Sequence, residues 1–240
     1  MHLPSKLPIR LCLAIASLSF ITKQSVAQDH VFNSWFAWFN NVKFSDKWGM
    51  NNDIQFRAGT DWSSNSSLLI RPGINYYVSE RHSVALGYAV ALATHELASD
   101  ARRLTEHRLW QQYIIGGTLL GVPIQNRFRL EQRFLKRPGE TAFAQRARYF
   151  IRSVIPVRSP SDQPFRRGMF ASLQNELFFN VHNQNASNGR WLDQNRAYAS
   201  VGFRLSEKYD VETGYMNQYL VKQGTNTTTH VWQGAIYTRL

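Results

Sequence analysis

The stretch Ile124-Gln125-Asn126-Arg127-Phe128-Arg129-Leu130-Glu131-Gln132-Arg133-Phe134 decides the fold class. Its alternate residues read Ile, Asn, Phe, Leu, Gln, Phe on one side and Gln, Arg, Arg, Glu, Arg on the other. Successive side chains of a strand point to opposite faces, so an extended chain here turns an apolar wall one way and four charges the other. A helix would mix the two sets around its circumference. The segment is also longer than the five or six residues usual for soluble strands.

The same alternation recurs along the chain and predicts strands at about 31–44, 48–60, 68–79, 83–94, 105–116, 123–135, 143–155, 168–182, 194–205, 210–220 and 228–240. Tight polar turns at Ser45-Asp46-Lys47, Ser79 to His82 and Leu205 to Tyr209 alternate with longer connections at Ala93–Leu104, His182–Asp193 and Val221–Thr227. Short turns on one side and long loops on the other are the pattern of an antiparallel transmembrane β-barrel. The count is eleven, whereas single-chain bacterial barrels have even numbers. The expectation is therefore twelve strands, with ten as the fallback: 28–44 holds a second strand, the connection 156–167 is misassigned, or an N-terminal stretch lies inside or beneath the barrel.

The phase of individual strands follows from composition. In 83–94, Val84, Leu86, Tyr88, Val90 and Leu92 share one face, against Ala85, Gly87, Ala89, Ala91 and Ala93 on an inner face that leaves room for larger side chains opposite. In 168–182, Met169, Ala171, Leu173, Leu177, Phe179 and Val181 point outward, with Ser172, Gln174, Glu176, Asn180 and His182 inward. In 194–205, Ala197, Ala199, Val201 and Phe203 point out and Arg196, Tyr198, Ser200 and Arg204 in. The last strand turns Trp232, Ile236 and Leu240 outward. Trp35, Trp38, Trp48, Tyr76, Tyr77, Trp110, Tyr149, Tyr215 and Trp232 lie near strand ends and are expected in interfacial girdles.

The ends and the composition narrow the class. Lys6 and Arg10, an apolar run from Leu11 to Ile21 and the small-x-small pattern Ser25-Val26-Ala27 read as a cleavable signal peptide over 1–27, too short in its apolar part for the roughly 20 residues of a spanning helix. The barrel then occupies 28–240. Cys12 lies in the signal, so the mature part has no thiol for disulfides or metal. The sequence has 28 Lys+Arg against 16 Asp+Glu, and losing Lys6, Arg10 and Lys23 with the signal takes the surplus from twelve to nine. Such a surplus suits nucleic acid, anionic lipid or a cationic interior. Export argues against nucleic acid, and the arginines are dispersed singly along strands.

The inward set gives the candidate site: Glu106, Arg108, Arg127, Arg129, Glu131, Arg133, Arg146, Arg148, Arg152, Glu176, Arg196 and Arg204. Two readings stand. In one, arginine forks bonded to glutamates stiffen a narrow closed barrel; in the other, a cationic lining binds or conducts small anionic solutes. With few acids opposite so many arginines, incomplete neutralisation is expected. No catalytic residue, cofactor or metal ligand set is assigned. A lipid-modifying enzyme of the phospholipase or deacylase type is the alternative, with His107, beside Thr105 and Glu106 and after Ser99, as its base. A soluble periplasmic sandwich is a third reading.

Several short motifs occur in a characteristic order. These are Trp35 and Trp38, Ser45-Asp46-Lys47-Trp48-Gly49, Gln55-Phe56-Arg57, Glu106-His107-Arg108-Leu109-Trp110-Gln111-Gln112, the opening stretch, Arg146-Ala147-Arg148-Tyr149 and Glu176-Leu177-Phe178-Phe179-Asn180. The run resembles the domain-of-unknown-function 2490 family (DUF2490), outer-membrane barrel proteins of Bacteroidota type, over nearly the whole mature chain. The resemblance implies an outer-membrane barrel and no activity. The expected protein is thus a monomeric barrel in the bacterial outer membrane, in contact with its lipids and with the barrel-assembly machinery.

Overall fold

The structure is a computed structural model that describes residues 29–59, 65–97, 100–119, 122–137, 139–157 and 164–240. The expected signal peptide lies outside the described residues. Twelve strand segments follow one another: β1 (Asp29–Lys43), β2 (Trp48–Gly59), β3 (Asn65–Ile70), β4 (Gly73–Tyr77), β5 (His82–Leu97), β6 (Asp100–Leu119), β7 (Val122–Arg137), β8 (Glu140–Pro156), β9 (Gly168–His182), β10 (Leu192–Ser206), β11 (Tyr209–Leu220) and β12 (Thr227–Arg239). One turn of 3-10 helix, Gln184–Ala186, sits between β9 and β10.

β3 and β4 are two pieces of a single stave. Both pair with β2 on one side and β5 on the other, end to end. Pro72 separates them; lacking an N–H, it cannot continue the ladder. Eleven staves therefore close the wall, and the expected twelve-strand count is met only as segments. Consecutive staves run antiparallel, so an odd number leaves the first and last pointing the same way. β1 and β12 accordingly pair in parallel, from Asp29 opposite Thr227 to Asn41 opposite Arg239. Among the described residues, the segment expected to hide a second strand forms the single strand β1. The connection expected at 93–104 is mostly strand: β5 continues to Leu97 and β6 begins at Asp100.

A parallel pair is slightly less stable per residue than an antiparallel one, and this seam is reinforced by side chains. Trp38 Nε1 donates to Thr238 Oγ1 at 3.2 Å and Thr238 donates to Asn40 at 2.7 Å. Phe36 meets Trp232 edge-on, and Phe39 stacks on Tyr237 with ring centroids 4.9 Å apart. The backbone of Leu240 closes the end, accepting from Lys43 N at 2.6 Å and donating to Asn41 O at 2.8 Å.

The inner small-residue face of β5 has a specific use. Trp110 of β6 is completely buried against Leu69, Ala85 and Ala89. A Cβ at Gly87 would lie 2.2 Å from its ring and 2.3 Å from the Pro72 carbonyl, and one at Gly73 would lie 2.3 Å from the ring. Trp110 thus belongs to the interior and not to a girdle, as does Trp35, 4% exposed. Trp38, Trp48 and Trp232 do face outward, at 41–50% exposure. His182 also departs from the expected inward phase. A register shift at Gln145/Arg146 turns it outward, where it meets the Phe143 ring.

Glycine replacement tests this packing. Gly87→Ala puts a methyl into both an indole and a backbone carbonyl, and should cost about 1–3 kcal/mol or block folding. Gly117→Ala, with nothing within 4 Å of its Cβ position, should stay within about 0.5 kcal/mol. Urea unfolding in detergent followed by tryptophan fluorescence measures both, and equal effects would contradict the niche.

Candidate functional site: the interior arginine network

Alternation within each strand, combined with burial, separates an inner from an outer wall. All twelve charged residues singled out from sequence lie on the inner side, within 20% side-chain exposure wherever they form ion pairs. Several bonds join staves that are not neighbours in the sheet. Such bonds can form only through the interior.

The centre is Glu131, with no exposed surface. One of its oxygens accepts from Arg146 Nε at 3.0 Å and Nη2 at 2.7 Å, and the other accepts from Arg148 Nη1 at 2.5 Å. Arg148 also reaches Glu176 at 2.7 Å, whose same oxygen takes Arg127 Nη2 at 2.7 Å. Arg146 continues to Asp193 at 2.7 Å. Glu106 holds Arg108 in a two-pronged fork, 2.8 Å for each bond, and accepts from Arg133 at 2.5 Å and 3.2 Å. Arg152 of β8 crosses to Glu212 of β11 and to the Tyr237 hydroxyl of β12 at 2.9 Å. Arg204 forks onto Asp210, which also binds Arg239. Charge-assisted forks of this kind are among the strongest protein hydrogen bonds, and each leaves little of the carboxylate unsatisfied.

Aromatic faces supply the remaining solvation. The Phe178 ring carries Arg146, Arg148 and Arg196 at 5.1, 4.4 and 4.7 Å from its centroid. Arg127 lies over Phe150 at 4.3 Å and Arg129 over Trp110 at 4.7 Å. Guanidinium groups are weakly hydrated and stack readily, which lowers the cost of burying them.

Both mouths receive inward-folded chain. Between β9 and β10, Ala186 packs on Ala142 and Ala144, and Ser187 accepts from Arg133 at 3.0 Å. Asn188 fixes this loop, donating to the carbonyls of Leu192 and Val221 at 2.9 and 2.8 Å. At the other end Phe165 packs against Phe170, under the Arg204 guanidinium, which donates to the Phe165 carbonyl at 2.7 Å. The mouth beside the C-terminus keeps a cavity of about 380 Å³ whose lining includes Lys43, Asn75, Tyr77, Gln112 and Arg239.

Sequence reasoning found the arginines but missed part of the acid supply. Asp53, Asp193, Asp210 and Glu212 complete the set, with Arg57, Arg71 and Arg239 as additional cations. Asp53, Gln55 and Arg57 alternate along β2 as the charges of β7 do, and reading that phase would have identified them. Asp193, at a strand edge, carries no comparable signal. The histidine considered as a base is elsewhere: His107 is on the outer wall with Nδ1 2.5 Å from the Tyr88 hydroxyl, while Glu106 points inward. Ser99 lies outside the described residues. Among the described residues no group of histidine, cysteine and carboxylate side chains is arranged to hold a metal.

Glu131→Gln strips the charge from the centre while keeping its shape, leaving two buried guanidinium groups short of a counter-ion. A loss of about 3–5 kcal/mol is expected. Adding Arg148→Gln should recover part of it, a positive coupling readable from a double-mutant cycle of urea unfolding. Strict additivity would show that the two side chains do not act together.

A family model described as a protein of unknown function, DUF2490, matches residues 32–229. An uncharacterized protein of Methylorubrum extorquens is 26% identical over 209 residues, covering 86% of this chain and 87% of that protein. No solved structure matches. Most of the barrel wall falls within the matched family model, and the chain belongs to the DUF2490 family.

Proposed function

We propose that this is an outer-membrane barrel with a closed, ionically bonded interior, and that its role is structural and non-catalytic. The observation that carries the reading is the inversion of charge. Among the described residues, outward positions along the middle of the strands hold no formal charge, whereas the buried side holds the arginine network. A soluble barrel would turn charge to water and apolar side chains inward.

Polar residues on the outer wall support the same reading because they pair with one another. Gln111 and Gln132 exchange two hydrogen bonds of 3.1 Å. Asn175 and Asn195 do so at 3.5 and 3.2 Å, and Tyr149 donates to Asn126 at 2.8 Å. Unpaired amides in hydrocarbon are costly, so mutual bonding suits a lipid environment. The outer wall also carries His82–Tyr113, His107–Tyr88 and His230–Tyr215 pairs at 2.7, 2.5 and 2.6 Å, amphipathic groups of the kind found at membrane interfaces. Outer-membrane lipids are then the principal partners, with the barrel-assembly machinery acting on the outward Trp232 and Ile236 of the final strand and on Leu240 just after it.

Three measurements test the proposal. The protein should resist salt and carbonate extraction, yield to detergent and migrate faster on unheated than on heated denaturing gels; release by carbonate would overturn it. In planar bilayers it should stay closed, with any rare opening anion-selective because arginines outnumber carboxylates inside. Steady cation-selective conductance would refute it. Finally, the odd stave number puts the start of β1 and the end of β12 at opposite mouths. Epitopes placed before Asp29 and after Leu240 should therefore be accessible from opposite faces of the membrane; accessibility from the same face would contradict the closure.

A further inference from the structure

Most interior arginines have a carboxylate partner, and the exceptions are informative. Among the described residues Arg57, Arg129 and Arg196 form no ion pair. Two of them converge on one ring: the Arg57 guanidinium lies 4.1 Å and that of Arg196 5.0 Å from the Trp35 centroid. Arg57 is the direct register partner of Trp35 across the β1–β2 ladder, whereas Arg196 arrives from β10 across the interior. Two like charges lie against one buried indole.

Their hydrogen bonding is incomplete. Arg57 donates Nη2 to Gln55 at 2.6 Å, but its Nε has no acceptor. Arg196 has a 3.2 Å bond to Gln194 Oε1, an oxygen that already accepts from Gln218 at 2.6 Å. Trp35 Nε1 is buried and also without an acceptor. The nearby carboxylates are committed elsewhere: Asp53 is held by Arg71 and Gln55, and Glu176 by Arg127 and Arg148. A buried donor without an acceptor is costly, and buried unpaired charge costs more. Two buried donors without an acceptor, Arg57 Nε and Trp35 Nε1, thus meet a second guanidinium without a counter-ion around one ring, an arrangement that favours an anion.

We propose that Arg57, Arg196 and Trp35 Nε1–H form a binding site for a small oxyanion, of the phosphate or carboxylate class, inside the barrel. The guanidinium groups present planar forks that match oxyanion geometry, and the indole N–H adds a third, neutral donor. Gln55 and Gln194 hold the arginines in place through their side-chain carbonyls, which cannot themselves neutralise the charge. The bound anion would supply the missing charge, so ligand binding and barrel stability are linked.

The site deepens the closed-interior reading and rests on it only for its location. Its test is equilibrium binding to the intact barrel in detergent, using inorganic phosphate as the probe and chloride at matched ionic strength as the control. Phosphate should raise the unfolding temperature in a saturable way, beyond chloride, and give a saturable heat on calorimetric titration. In Arg57→Gln/Arg196→Gln both effects should vanish. Equal shifts with phosphate and chloride, or a phosphate effect that survives the double substitution, would overturn the site. Should the double variant fail to fold, Trp35→Phe keeps an aromatic face under the arginines and removes the N–H donor together with part of the ring. It should weaken phosphate binding about tenfold, and undiminished affinity would equally overturn the site. A barrel that conducts yet binds phosphate refutes only the closed interior; one that stays closed and ignores phosphate refutes only the anion site.

Discussion

Burying a guanidinium group is the constraint on which the interior depends. The ion loses its water and regains stability only through acceptors and ring faces supplied at fixed positions. Glu131 meets this need for Arg146 and Arg148 together, and each of these arginines passes the requirement on, to Asp193 and Glu176. Because Arg152 reaches β11 and β12 from β8, satisfying it fixes the distance between opposite sides of the wall. The polar interior is therefore a set of struts whose lengths define the cross-section.

Closure brings a second constraint. Eleven alternating staves cannot close by antiparallel pairing alone, and the chain resolves this with one parallel ladder between its first and last strands. Side chains compensate at that joint: Trp38, Thr238 and Asn40 bond on the outside, and Phe39 stacks on Tyr237 within. Interior volume is filled by the same economy of shape, with Gly73 and Gly87 making the recess for Trp110.

Much of this was legible in the sequence because a strand has a strict two-residue period. Once β7 reads as alternating, the phase of Arg127, Arg129, Glu131 and Arg133 is fixed, and β5, β9 and β10 follow the same rule. The period tells which side a residue faces and not what lies opposite it in space. Partners such as Arg152 and Glu212, or Arg196 and Trp35, are joined by the curvature of the whole sheet and leave no local trace. Aromatic residues near strand ends were ambiguous for another reason: Trp35 and Trp110 share their composition with girdle tryptophans and differ only in phase. His182 was misplaced because one bulge reverses every side chain beyond it. Parity misled as well, since the even-number expectation assumes that both chain ends lie at the same mouth.

The parallel ladder has a consequence for biogenesis. β1 emerges first and β12 last, so the sheet must wait for its entire length before its two free edges can find each other. Zipping of hairpins from β2 onward is local, but the final joint is between residues some two hundred positions apart, the slowest kind of contact for a chain to make. Until it forms, both margins carry unpaired amides and carbonyls, open to pairing with other chains. A nascent wall of this kind keeps an open rim to the last, and it is sealed only when head and tail strands lock.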